Sequence, residues 1–143
     1  MTIKTRDFGE VEINESDIIT FPNGVYAFEE TRRYVLLSPL GEDVFPMWLQ
    51  CLDNSELCFI VFNPSELVSG YSVNIADADM DIVGREGEIG YLCIAVIPDN
   101  YLKTTVNLKS PIILNSVGRL AVQIVAYEDY NIKHPVFSKG EGV

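Results

Sequence analysis

The sequence predicts an all-β domain, mainly antiparallel, folded as a small closed or semi-closed β-barrel or sandwich with one or two short helical turns. Three observations predict it. β-branched and aromatic residues recur in short runs along the 143-residue chain, separated by Gly, Pro, Asn and Asp turn signals. Helical periodicity is scarce. Two runs, Cys58–Phe62 and Leu92–Ile97, are apolar throughout, so both of their faces need cover, as in a closed barrel or under a cap.

The elements follow in order. Thr2–Thr5 and Glu10–Ile13 alternate polar and apolar residues around Phe8-Gly9, the pattern of an N-terminal hairpin. Asp17–Phe21, Tyr34–Leu37, Met47–Leu52 and Cys58–Phe62 read as strands, with Asp53-Asn54-Ser55 turning between the last two. Tyr71–Ile75 alternates like a strand. Asp77–Gly84 reads as a short helix with Asp77 as its N-cap and Gly84 as its stop. Ala27–Arg33 reads as a second possible helical turn. Tyr91–Ile97, Thr104–Leu108, Pro111–Asn115 and Leu120–Tyr127 complete the strands, with turns at Pro98-Asp99-Asn100 and Ser116-Val117-Gly118. Residues 1–137 are expected to form one domain, large enough to bury roughly 68% of the unfolded surface. The small polar tail 138–143 is expected to be flexible.

Composition excludes several classes of function. The hydrophobic fraction of 48% is ordinary for a soluble globular protein. There is no apolar run long enough for a transmembrane helix, and the N-terminus has no h-region or cleavage site; a cytoplasmic protein is expected. Cys51, Cys58 and Cys93 are odd in number, show no C-x-x-C spacing and lie in apolar runs, so they read as buried thiols. Twenty-one acidic against ten basic residues leave a net charge of −11. That balance argues against direct binding to DNA or RNA, which requires a basic stripe, and favours attraction of a basic protein.

Catalytic and metal chemistry finds no foothold. Asp77, Asp79 and Asp81 match loop positions one, three and five of a calcium hand, and Glu88 falls at twelve. Position six, where a glycine must turn the backbone, is Ile82. His134 is the only histidine, and no G-x-S-x-G nucleophile motif accompanies it. Gly84–Gly90 carries glutamates and lacks the Lys-Ser/Thr end of a phosphate loop. No catalytic residue, cofactor or metal is expected. The chain reads as a binding protein, with a small-ligand-binding barrel as the alternative. Binding energy concentrates in aromatic anchors ringed by polar groups. The aromatic-rich loops are Phe21–Phe28 and Phe45–Trp48. Tyr26, Phe28, Phe45 and Trp48, with Asp77, Asp79 and Asp81 at the rim, are therefore the candidate protein-binding residues. Trp48 and Phe28 also suit a core.

Four segments occur in a fixed order: Ile18–Glu30 (IITFPNGVYAFEE), Phe45–Cys51 (FPMWLQC), Asn107–Asn115 (NLKSPIILN) and Tyr130–Pro135 (YNIKHP). Together they resemble the FliW family of flagellar assembly factors, from Met1 to about Phe137. Two departures stand out. The family loop E-G-I-P-G-F-E is here Asn23–Glu29, without the proline and with Ala27 in place of the second glycine. Cys51 stands where Ser is usual. The resemblance implies a non-enzymatic protein that binds and antagonises CsrA, a small RNA-binding translational regulator, and that binds flagellin. It further implies a partner switch in which exported flagellin frees the protein to relieve CsrA repression. A flagellin-only chaperone is the alternative within that resemblance.

Overall fold

The computed structural model describes residues 1–137; the expected flexible tail, 138–143, lies outside the described residues. The elements run β1 (Thr2–Lys4), β2 (Glu10–Glu12), β3 (Ile19–Thr20), β4 (Arg33–Leu37), β5 (Met47–Cys51), β6 (Cys58–Phe62), α1 (Pro64–Leu67), α2 (Asp77–Val83), β7 (Ile89–Val96), β8 (Thr105–Val106), β9 (Ile112–Asn115), β10 (Ala121–Gln123) and β11 (His134–Pro135). The β1–β2 hairpin forms as expected, with Ile3 opposite Val11. The main sheet has the order β10-β9-β7-β6-β5-β4-β3, with β8 beside β7 and β11 beside β8. Neighbouring strands pair antiparallel. The twist of the sheet brings its two ends together. There Thr20 forms one parallel bridge to Leu120, and its N–H donates to the Arg119 carbonyl at 2.9 Å. The barrel is thus semi-closed, with one backbone bridge at the seam and side-chain bonds from Arg119 to the Asp17 carbonyl and from the Tyr26 N–H to Gln123 across it.

Alternation along each strand sends one set of side chains inside. Ile19, Tyr34, Leu49, Val61, Ile112 and Ala121 fill the barrel interior with no exposure. The next residues on β7 and β9, Cys93 and Ile113, point the other way into a second core with Val106, Leu108 and Val122. Helix α2 covers that core with Val83, Met80 and Ile82, lying over β9 and β10. The all-apolar run of β7 is accounted for this way at Leu92 and Cys93. It fails at Val96 and Ile97, which are exposed.

Four local expectations need correction. Tyr71–Ile75 is extended, and its Tyr71 and Val73 are buried, but it is not a strand. Two of its N–H groups go to side chains instead: Ser72 to the Tyr130 hydroxyl at 3.1 Å and Asn74 to Glu128 Oε2 at 2.9 Å. Ala27–Arg33 makes turns, not a helical turn, because Gly24 and Ala27 take φ values of 70° and 71° that no right-handed helix accepts. Asp77 is the first helical residue rather than the cap; Ala76 occupies the cap with no side-chain bond. β10 ends at Gln123, before the expected Tyr127. Its backbone pairing continues irregularly, from Ile124 N–H to the Pro111 carbonyl and Ala126 N–H to the Lys109 carbonyl. Helix α1 was not anticipated, although Asn63-Pro64 is a start signal: Asn63 Oδ1 accepts from Ser65 N–H at 3.0 Å, with Pro64 at the first position.

Candidate protein-binding site

The loop after β3 is pinned from both ends. Phe21 and Val25 are buried in the barrel core. At Gly24 a Cβ would sit 2.4 Å from the Glu29 carbonyl oxygen, so no other residue fits there. Gln123 Oε1 accepts the Tyr26 N–H at 2.9 Å. The loop thus presents Tyr26 and Phe28 outward, 47% and 41% exposed. Phe28 packs edge-on to Phe59 at 5.6 Å, which fixes its ring without burying it. Burial, and then the negative charge of Asp79, push the Tyr26 hydroxyl pKa above its ordinary value. Asp79 therefore lies near enough to Tyr26 to act on it.

Tyr26 is one wall of an apolar groove of about 320 Å³. The groove opens where two strands part. The pairing of β6 with β7 runs through Phe62↔Cys93 and Val61↔Ile94 and stops there; the following residues of β7, Ala95 and Val96, pair only with β8, on the opposite edge of the strand. Phe59, Ile94, Val96 and Ile132 line the gap, and Val96 and Ile132 are 68% and 63% exposed. Sequence reasoning missed these two. For Val96 the available signal was the length of the β7 apolar run, which exceeds what the core can cover; Ile132 carried none.

The remaining candidates lie elsewhere. Phe45 borders a second groove, beside Leu36, Leu92 and Leu114. Trp48 sits on the outer face of β5, opposite in sense to its inward neighbours Met47 and Leu49. Its Nε1–H donates to Asp7 Oδ2 at 3.0 Å and its ring meets Phe8 edge-on at 5.4 Å. Trp48 thereby anchors the N-terminal hairpin. Asp77 and Asp81 both pair with Arg85, the first at 3.7 Å. All three aspartates ride on helix α2, a geometry unlike a metal-binding loop. The seven candidates thus fall in separate places. Tyr26 and Phe28 remain together on one loop, and Asp79 acts on the Tyr26 hydroxyl through its charge.

The recurring segments mostly hold the scaffold. Buried Gln50 donates to the carbonyls of Cys51, Ser55 and Leu57 at 3.0, 3.0 and 3.2 Å and accepts from Arg6 N–H at 3.0 Å. Asn107 Oδ1 accepts from the N–H groups of Lys109 and Ser110, making the bend before Pro111. Asn115 Nδ2 donates to the Gly84 carbonyl at 3.0 Å and ties the end of α2 to β9. Tyr130 stacks on Tyr71 at 4.5 Å.

Nucleophilic chemistry is disfavoured at two of the thiols. Burial pushes the Cys58 thiol up to about 11 and the Cys93 thiol up to about 12, whereas a reactive cysteine needs the opposite shift. His134 lies in β11 opposite Val106.

Comparison with known proteins agrees in sequence and in fold. The family described as FliW protein matches residues 2–136. The flagellar assembly factor FliW of Natranaerobius thermophilus is 38% identical over 96% of this chain and 93% of its own length. That of Ruminiclostridium cellulolyticum is 32% identical over 97% and 96%. A crystal structure of the flagellar assembly factor FliW superposes with a TM-score of 0.88 at 28% identity, covering 98% of this chain and 99% of the other. Family match, near-complete coverage and a shared semi-closed barrel place this chain in the FliW family of flagellar assembly factors.

Proposed function

We propose that this protein acts in the cytoplasm, without catalysis, by binding a CsrA-type translational regulator and flagellin in alternation, so that flagellin export releases it to relieve CsrA repression. The observation that carries the reading is the family match over residues 2–136. The net charge of −11 supports it physically. A regulator that binds RNA presents basic surfaces, and an acidic partner both attracts them and repels competing phosphate. The packed interior also favours protein contacts over an enclosed small ligand: the barrel is filled by side chains such as Tyr34, Leu49 and Ile112 with no exposure. The groove walled by Tyr26 and Val96 is one surface that offers exposed apolar anchors.

The test uses purified protein with CsrA and flagellin from the same bacterium. Both partners are expected to bind, and flagellin is expected to displace CsrA. Tyr26→Ala is expected to stay folded, because Tyr26 is half exposed, and to weaken at least one partner by about tenfold or more, as for a hot-spot aromatic. Flagellin binding without CsrA binding would establish the chaperone reading instead. Binding of neither would reject both.

A further inference from the structure

The barrel has a second open end, and its chemistry differs from the first. Leu36, Phe45, Met47, Leu92 and Leu114 line a groove of about 320 Å³. These residues belong to the barrel core or pack against it, so the groove is a continuation of the core left without a lid. Its rim carries Glu42 and Asp43, both exposed. Among the described residues, no lysine or arginine lines it. The contrast with the Tyr26 groove is direct, since that groove includes Lys133 and no carboxylate.

The loop between β4 and β5 builds this rim. Gly41 N–H donates to the Ser38 carbonyl and Val44 N–H to the Gly41 carbonyl. The turn places Asp43 at φ 59°, a conformation that aspartate tolerates better than most residues. The same loop exposes Leu40 and Val44, 57% and 44% accessible. Exposed apolar side chains, Leu40 and Val44, therefore flank the acidic pair Glu42-Asp43 beside an apolar floor. An acidic ligand would be repelled there, and a purely apolar one would leave both carboxylates unused. A volume near the bottom of the usual range of about 300–1,000 Å³ for ligand sites admits a few side chains of a docked segment.

We propose that this groove docks a basic amphipathic segment of a partner protein. Its apolar side chains would enter between Leu36, Phe45 and Leu114, and its lysines or arginines would face Glu42 and Asp43. Charge complementarity selects this occupant. The proposal goes beyond the reading above, because it does not depend on which protein supplies the segment.

The test titrates isotope-labelled protein with a synthetic amphipathic helix of leucine and lysine, and separately with its leucine–glutamate counterpart. The basic peptide is expected to shift the amides of Leu36, Gly90 and Leu114, leaving Phe59, Val96 and Ile132 unmoved. Glu42→Lys with Asp43→Asn should weaken it at least about tenfold, as for loss of a charged rim. Glu10→Lys with Glu15→Gln changes the net charge equally at exposed residues that do not line the groove and should matter far less. Both pairs are exposed and should leave the fold intact. Equal weakening by the two pairs, shifts centred elsewhere, comparable binding of the glutamate peptide, or no binding at all would each overturn the proposal.

Discussion

At residue scale, Ala27 shows how a single residue records a backbone requirement. Alanine holds φ 71° here, a left-handed conformation that glycine adopts without cost. A Cβ in the left-handed region costs about 1–2 kcal/mol, offset in part by the greater unfolded-state freedom of glycine, about 0.5–1 kcal/mol. Ala27→Gly is therefore expected to raise stability by about 0.5–1 kcal/mol; a urea midpoint that stays put or falls would reject this account. The buried thiols and phenols make a second residue-level prediction. Folding raises the thiols of Cys58 and Cys93 from an ordinary 9.0 to about 11 and about 12. Burial likewise pushes the Tyr34 and Tyr71 hydroxyls up. In each case the folded state holds the neutral form, and the unfolded chain ionises first. Their stabilisation is complete below pH 9 and is lost as pH rises through 11 and 12. Unfolding free energy should decline across that window, and a flat profile in urea titrations would contradict it.

At the scale of elements, the β1–β2 hairpin depends on a few polar ties to β5 and β6. Gln50 accepts the Arg6 N–H, and Arg6 Nη1 donates to the Cys58 carbonyl at 2.8 Å. Trp48 and Phe8 complete the contact. Gln50→Ala would take the side-chain donor from the buried Cys51 carbonyl and the acceptor from the Arg6 N–H, while the Leu57 carbonyl keeps the Cys51 N–H. The expected loss is about 2–3 kcal/mol, from two groups left unsatisfied at about 1–3 kcal/mol each. Trp48 is the only tryptophan, so its emission should shift to the red as the hairpin loosens. Wild-type stability with unshifted emission would show that the hairpin is held by other means. The turn after β5 has a related device. Burial works against ionisation of Asp53, but the N–H groups of Arg32 and Arg33 and the Arg33 guanidinium, 3.0 Å away, together hold its carboxyl below the usual range. This contribution is present above the ordinary carboxylate pKa and fades as the solution is acidified.

At the scale of the whole molecule, the charge of −11 should govern how partners arrive more than how tightly they stay. Exposed charges are screened beyond about 8 Å at physiological salt. The association rate with a basic partner should therefore fall steeply as salt rises, while dissociation changes little. Stopped-flow measurement across salt concentrations checks this, and a constant on-rate would remove electrostatic steering from the account. The two grooves add a geometric element. They open at different ends of the barrel, one beside Gly90–Leu92 and the other beside Ile94–Val96 of the same strand, so a partner segment in one leaves the other open.

Much of the architecture was legible because it rests on local chemistry. Alternation and turn residues suffice for the β1–β2 hairpin, β4, β5 and β6, since a strand's two faces are written into its period of two. The apolar runs of β6 and β7 announced two-sided burial; Val61 and Leu92 do face one core and Phe62 and Cys93 the other, while Val96 stays exposed. The acidic charge and the buried cysteines are properties of composition. What the sequence could not determine is which neighbour answers each group. Tyr71–Ile75 alternates like a strand, yet Tyr130 and Glu128, distant along the chain, supply its hydrogen-bond partners. Trp48 suits a core or a contact by type; only the docking of Asp7 and Phe8 made it an anchor. The aspartates of α2 read as a free rim until Arg85 folded back on two of them. The grooves themselves arise where the pairing of β6 with β7 stops and where the barrel end stays uncovered. Both are consequences of long-range pairing, and a linear sequence carries no local signal for a gap between strands that meet only in the folded chain.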